Sequence, residues 1–282
     1  MKPQSIKPIP RGFSGRVPRV IGHRGSCGTA PENTLISFQT AERDDADILE
    51  MDVHLTVDGE VVVMHDPLVD RTTDGAGPIS SKTLAELRAL DAAYRFTTDG
   101  GKTFPFRGKG IVVPTFREVL QAFPHMPMNV EIKADNQELV SKFLKLLDEF
   151  KRFDDVIVLV AAEKTDLKVR VRNTEPRAVV GHSFSEVVRF VVLSRLRLHR
   201  FFSPSGSALQ IPARNRWMKV ATPSFIRAAH ALGLEVHVWT INTEDDMRKY
   251  LSMGADALFT DYPGRMRKLV DSGDWRIKPP HG

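Results

Sequence analysis

RVIGHRGSCGTAPENTLISFQTAERDDADILEMDVHLTVDGEVVVMHD, residues 19–66, holds one complete round of a plan that repeats along the chain. The apolar run at 19–22 reads as a strand. Residues 34–43 carry apolar side chains at helical spacing, with Asn33 placed to cap the helix N-terminus. Two further strands are predicted at 47–55 and 60–64, and the pair Asp58-Gly59 between them is a hairpin turn signal.

Outward from this stretch the alternation continues. A helix over 83–90 leads into a Gly-rich, polar stretch at 97–110, read as an exposed insertion loop. Then come helix 115–122, strand 128–132, helix 137–150 and strands 156–160 and 178–180. Helix 185–193, strand 207–211, helix 224–232, strand 235–240, helix 244–252, strand 257–260 and helix 265–270 complete the series. Roughly eight strand–helix units without a break in composition predict an α/β chain, a single closed (β/α)8 TIM barrel with a small insertion after the second strand. The expected division is a basic leader at 1–18, the barrel at 19–271 and a tail at 272–282. A doubly wound open sheet competes, but no GxGxxG follows the first strand and no GxxxxGK[ST] occurs anywhere.

Composition narrows the classes further. With 282 residues, 41% hydrophobic and 27% charged, the chain is neither fibrous nor disordered. The single cysteine, Cys27, excludes an internal disulfide framework and a multi-cysteine zinc site. Forty basic against 35 acidic residues leave a net charge of +5, too mild to argue for nucleic acid. Residues 187–202, VVRFVVLSRLRLHRFF, alternate apolar side chains with arginine. The favoured reading is a barrel helix with basic outer edges, and the alternative is peripheral contact with anionic membrane lipid. No stretch reads as a signal peptide or a membrane span, so a cytoplasmic protein is expected.

Residues able to do chemistry fall at predicted strand ends, where barrel enzymes carry their sites. His23-Arg24 follows the first strand, Glu50 and Asp52 share one face of the second, and His65-Asp66 closes the VVVMHD run. Glu131 and Lys133 again share a face. Each piece has an ordinary structural reading, a cap or a surface ion pair; their joint placement points to a site. Three carboxylates converging without a cysteine suit a hard divalent cation, Mg²⁺ or Ca²⁺.

These residues also carry a resemblance. The strings IGHRGSCGTAPENTLISFQTA, ADILEMDVHLTVDGEVVVMHDPLVDRTTDGAGPIS, VPTFREVL, MNVEIK, VHVWTIN and ALFTDYPGRM, in that order over about 20–269, resemble the glycerophosphodiester phosphodiesterase family. The resemblance implies a metal-dependent TIM-barrel hydrolase that converts small-molecule glycerophosphodiesters, such as glycerophosphocholine or glycerophosphoethanolamine, to sn-glycerol 3-phosphate and an alcohol. It implies Glu50, Asp52 and Glu131 as ligands of one divalent cation and His23 and His65 as the acid–base pair. It places Arg24 and Lys133 beside the substrate phosphate and Trp239 in a wall of the pocket. The nucleophile, water or the substrate's own 2-hydroxyl, stays open. A lysophospholipase D is the alternative enzyme, and a catalytically silent phosphodiester-binding barrel is the alternative of another class. Cys27 receives no role beyond packing.

Overall fold

Short β-branched and aliphatic runs form parallel strands because a layer of amphipathic helices covers their outer side. The chain runs β1 (Arg19–Gly22), α1 (Leu35–Arg43), β2 (Ile48–Leu55), β3 (Val61–Val63), α2 (Leu84–Arg88), α3 (Phe116–Ala122), β4 (Met128–Ile132) and α4 (Gln137–Glu149). It continues β5 (Val156–Val160), α5 (Thr165–Thr174), β6 (Val179–Val180), α6 (Phe184–Arg195), β7 (Ala208–Pro212) and α7 (Pro223–His230). The last elements are β8 (Glu235–Trp239), α8 (Glu244–Ser252), β9 (Ala257–Thr260) and α9 (Pro263–Ser272). The computed structural model describes residues 10–13, 15–160, 165–214 and 219–276. Residues 1–9 and 14 of the predicted leader and 277–282 of the predicted tail lie outside them.

Eight strands are parallel in the order β6-β5-β4-β2-β1-β9-β8-β7, and β3 pairs antiparallel with the end of β2. Among the described residues no backbone ladder joins β6 to β7. The sheet is curled, and the Nδ1–H of His182, just after β6, donates to the Ala208 carbonyl of β7 at 2.7 Å. The result is an α/β fold with a curled parallel sheet of TIM-barrel type. After β3 the chain makes a long excursion through α2 and the exposed, irregular segment 97–110 before α3. No helix among the described residues is long and apolar enough to cross a membrane.

Three departures from the sequence reading have physical causes. Thr34, not Asn33, caps α1: its hydroxyl accepts from the Ser37 amide, while Asn33 sits at φ 56° with its amide turned into the barrel. No helix was expected between 160 and 178, where α5 forms. The run Leu-Lys-Val-Arg-Val-Arg at 167–172 alternates with period two, yet it buries Leu167, Lys168 and Val171 on one helical face. The expected leader is also part of the fold in its described portion. Phe13, 1% exposed, packs against inward-facing Ile21, Ile48, Ile157, Val179, Ala257 and Phe259. The Gly12 amide donates to Asp154 just before β5, so Phe13 closes the N-terminal end of the sheet. The opposite end is left for the site.

Candidate active site

The backbone after β1 is bent to present two side chains. Arg24 adopts a left-handed conformation (φ 49°), and its amide donates to Glu50 Oε2 at 2.7 Å. Gly25 follows at φ 85°, where an added Cβ would lie 2.4 Å from Ser37 Oγ. The turn in His-Arg-Gly therefore requires glycine.

The carboxylates come from adjacent strands in register. Glu50 and Asp52 point inward from β2, and Asp52 pairs laterally with Glu131 of β4. Glu50 is 5% and Asp52 1% exposed. One oxygen from each of Glu50, Asp52 and Glu131 lies within 4.8 Å of the others. Asn33 Nδ2 donates to Asp52 Oδ2 at 3.0 Å, and Lys133 Nζ stands 3.3 Å from Asp52 Oδ1 and 3.1 Å from Glu131 Oε2. Burial and the adjacent Asp52 push the Glu50 carboxyl up, well above the ordinary carboxylate range. Buried carboxylates crowded this closely need positive charge among them, and an all-oxygen donor set fits a hard divalent cation.

A second group, His23, Cys27 and Asp261, is also compact enough to hold an ion. Without a metal, burial and the charge of Asp261 push the Cys27 thiol up and keep it protonated. Cys27 donates to Asp261 Oδ1 at 3.0 Å.

Both histidines are fixed the same way. His23 Nδ1 lies 2.7 Å from Asp261 Oδ1, and His65 Nδ1 lies 2.6 Å from Asp66 Oδ1. Because an ionised carboxylate only accepts, each Nδ1 carries a proton and each Nε2 remains for a ligand. Burial opposes charge on His23, but the hydrogen bond to Asp261 and the nearby Glu50 outweigh it and raise its pKa. Burial alone would raise Asp66, yet hydrogen bonds from Arg71 and His65 hold it at about 2. Arg24 Nη1 donates to Glu32 Oε1 at 2.9 Å, while its buried Nε makes no hydrogen bond among the described residues and stands in an ion pair 3.5 Å from Asp52 Oδ2.

All eight sequence-predicted residues line one cavity of about 570 Å³. His23, Arg24, Glu50, Asp52, His65, Glu131 and Lys133 form its polar end. Trp239, 43% exposed, lines the same cavity, as do the apolar Leu159, Val187, Val188, Val191 and Val192. The sequence reading assigned no role to Glu32, Arg71 or Asp261. Asp261 follows strand β9 as His23 follows β1, so the strand-end rule reaches it; Glu32 and Arg71 lie in loops, where no periodicity marks them.

Residues 23–265 match the model of the glycerophosphoryl diester phosphodiesterase family. A Bacillus subtilis glycerophosphodiester phosphodiesterase is 30% identical over 88% of this chain and 85% of its own. A rat lysophospholipase D is 26% identical over 90% of this chain and 86% of its own. The solved structure of an Oleispira antarctica phosphodiesterase in complex with the product sn-glycerol-3-phosphate superposes with a TM-score of 0.71 at 28% identity. It covers 90% of this chain and 97% of its own.

Proposed function

The chain belongs to the glycerophosphoryl diester phosphodiesterase family, a family of phosphoric diester hydrolases, and from that membership we propose how its own residues carry the reaction. The substrate is a small glycerophosphodiester, and the products are sn-glycerol 3-phosphate and an alcohol. The observation that carries the reading is the meeting of three carboxylates with two carboxylate-anchored histidines at one end of one cavity.

Glu50, Asp52 and Glu131 would hold one divalent cation, Mg²⁺ or Ca²⁺, which would supply positive charge to offset the phosphate and Lewis acidity to make the attacking hydroxyl more acidic. Arg24 and Lys133 bind the phosphate; the Arg24 Nε–H, which makes no hydrogen bond among the described residues, is a donor of the right kind for one of its oxygens. His23 Nε2 accepts the proton of the attacking hydroxyl as the new P–O bond forms. If that hydroxyl is water the product is glycerol 3-phosphate directly, and if it is the glycerol 2-hydroxyl a cyclic phosphate forms first, which one water then opens with the two histidines exchanging roles. His65 Nε2–H passes its proton to the leaving alkoxide as the old P–O bond breaks. Asp261 and Asp66 orient the two rings by accepting from Nδ1–H, which leaves each Nε2 for proton transfer. The catalytic unit is a (β/α)8 barrel at 19–271, with the excursion between β3 and α3 inserted after its second strand.

The test is release of glycerol 3-phosphate from glycerophosphocholine. Chelator, His23→Ala and His65→Ala should each abolish it, and turnover persisting in both variants would overturn the assignment. The apolar wall of the cavity favours a second reading, hydrolysis of lysophospholipids, which choline release from lysophosphatidylcholine decides.

A further inference from the structure

The outer face of α6 combines an exposed apolar row with a cluster of exposed arginines. Phe184, Val188, Val192 and Leu196 recur every four residues, one row along the helix, and are 45% to 61% exposed. Leu198 and Phe201 extend the row into the following turn, at 38% and 61% exposed. Arg189, Arg195, Arg197 and Arg200 are exposed on the same segment, and residues 187–203 contain no aspartate or glutamate. Arg195 Nη2 donates to the Lys219 carbonyl at 3.2 Å, which brings another exposed basic residue beside this end. The inner face of α6 is occupied differently: Val187, Phe190, Val191 and Ser194 are buried.

The exposed row is also continuous with the active-site cavity, because Phe184, Val188 and Val192 line it as well. A soluble protein seldom leaves so many large apolar side chains together in water, and a set beside a ligand cavity marks an interaction site.

We propose that this face of α6 and the turn after it seats the protein on an anionic lipid bilayer, with the cavity mouth opening toward the lipid. An interfacial helix buries its apolar row at the headgroup–acyl boundary while flanking arginines meet lipid phosphates. The bilayer supplies both partners at once. Self-association through the same face would satisfy the apolar row but would set one arginine cluster against another with no acid between them. The consequence for substrate rests on the phosphodiesterase reading: a cavity wall continuous with the bilayer suits a glycerophosphodiester that still carries an acyl chain. Docking itself does not depend on that reading.

The experiment is flotation of the full chain with vesicles of phosphatidylcholine alone and of phosphatidylcholine mixed with phosphatidylglycerol. Binding is expected to the mixed vesicles, to be weaker by at least about tenfold on phosphatidylcholine alone, and to fall with added salt. The variants Arg197→Glu/Arg200→Glu and Leu196→Ser/Phe201→Ser change residues outside the cavity. Each should lose at least about tenfold in vesicle binding while keeping wild-type turnover of soluble glycerophosphocholine, which also reports that they fold. No binding to anionic vesicles, or equal binding by wild type and both variants, overturns the proposal. So does a concentration-dependent dimer, seen by sedimentation without lipid and lost in Leu196→Ser/Phe201→Ser, because the face would then be a self-association surface. Loss of turnover in the wild-type protein would count against the phosphodiesterase reading and leave the vesicle result standing.

Discussion

Arg71 grips Glu32 with both terminal nitrogens, Nη1 2.6 Å from Oε2 and Nη2 2.7 Å from Oε1. Its Nε bonds Asp66, the carboxylate that holds His65, and Glu32 in turn accepts from Arg24. A single guanidinium therefore ties His65, through Asp66, to Arg24, through Glu32. A planar fork does this and a lysine ammonium does not.

Arg71→Ala should lower kcat by about 10- to 100-fold with a smaller change in KM, since the reacting groups remain but lose their orientation. Arg71→Lys should recover little. Steady-state kinetics on glycerophosphocholine checks both, and an unchanged kcat in Arg71→Ala would remove the bridge from the account.

How much of this was legible in the sequence depends on where each residue sits. Strand ends are readable because apolar runs stop there, which is how His23, Glu50, Asp52, His65, Glu131 and Lys133 were placed. Trp239 was placed through the family resemblance. Asn33 was readable as polar and adjacent to a helix but not as a hydrogen-bond donor to Asp52; a cap and an inward ligand look alike until the backbone is known. Glu32 and Arg71 are far apart in the chain and meet only through the folding of two loops. Phe13 stood in a Pro- and Arg-containing segment whose composition masked its burial. The exposed row of α6 was visible as a pattern, but which residues also line the cavity required the sheet's curl.

Metal affinity should depend on pH with a definite sign. Burial and Asp52 raise Glu50, so the metal-free site takes up a proton well above the ordinary glutamate value of about 4.3. The cation must displace that proton, and affinity should fall by up to about tenfold per pH unit as pH drops below the raised value. Titration calorimetry in buffers of different ionisation enthalpy measures the released proton. Affinity independent of pH would contradict a carboxyl raised in this way.

Phe13→Ala should destabilise the protein by about 3–5 kcal/mol, because a fully buried ring is removed from the N-terminal end of the sheet. Chemical denaturation reads the loss. A midpoint equal to wild type would mean that Phe13 does not close this end of the sheet.

Glu186 anchors α6 through Lys168 and Ser205. Burial would raise its carboxyl, but the bonds from Lys168, Ser205 and the Ser183 amide hold it at about 2. A depressed carboxylate stabilises the fold above its unfolded value near 4.3 and loses that contribution as pH falls toward 2. The contribution at neutral pH is at most about 3 kcal/mol, reduced because burial also pushes the Lys168 ammonium down. The stability gap between wild type and Glu186→Gln should therefore close on acidification over that range. A gap that stays constant would show that the clamp is not ionic.

The central claim is that Glu50, Asp52 and Glu131 hold the catalytic cation beside the two histidines. Anomalous diffraction from crystals grown with Mn²⁺ and sn-glycerol 3-phosphate tests it most directly. The account predicts one peak ligated by all three carboxylates, with the phosphate reaching Arg24 and Lys133. A peak among His23, Cys27 and Asp261 instead, or none at the three carboxylates, would contradict it.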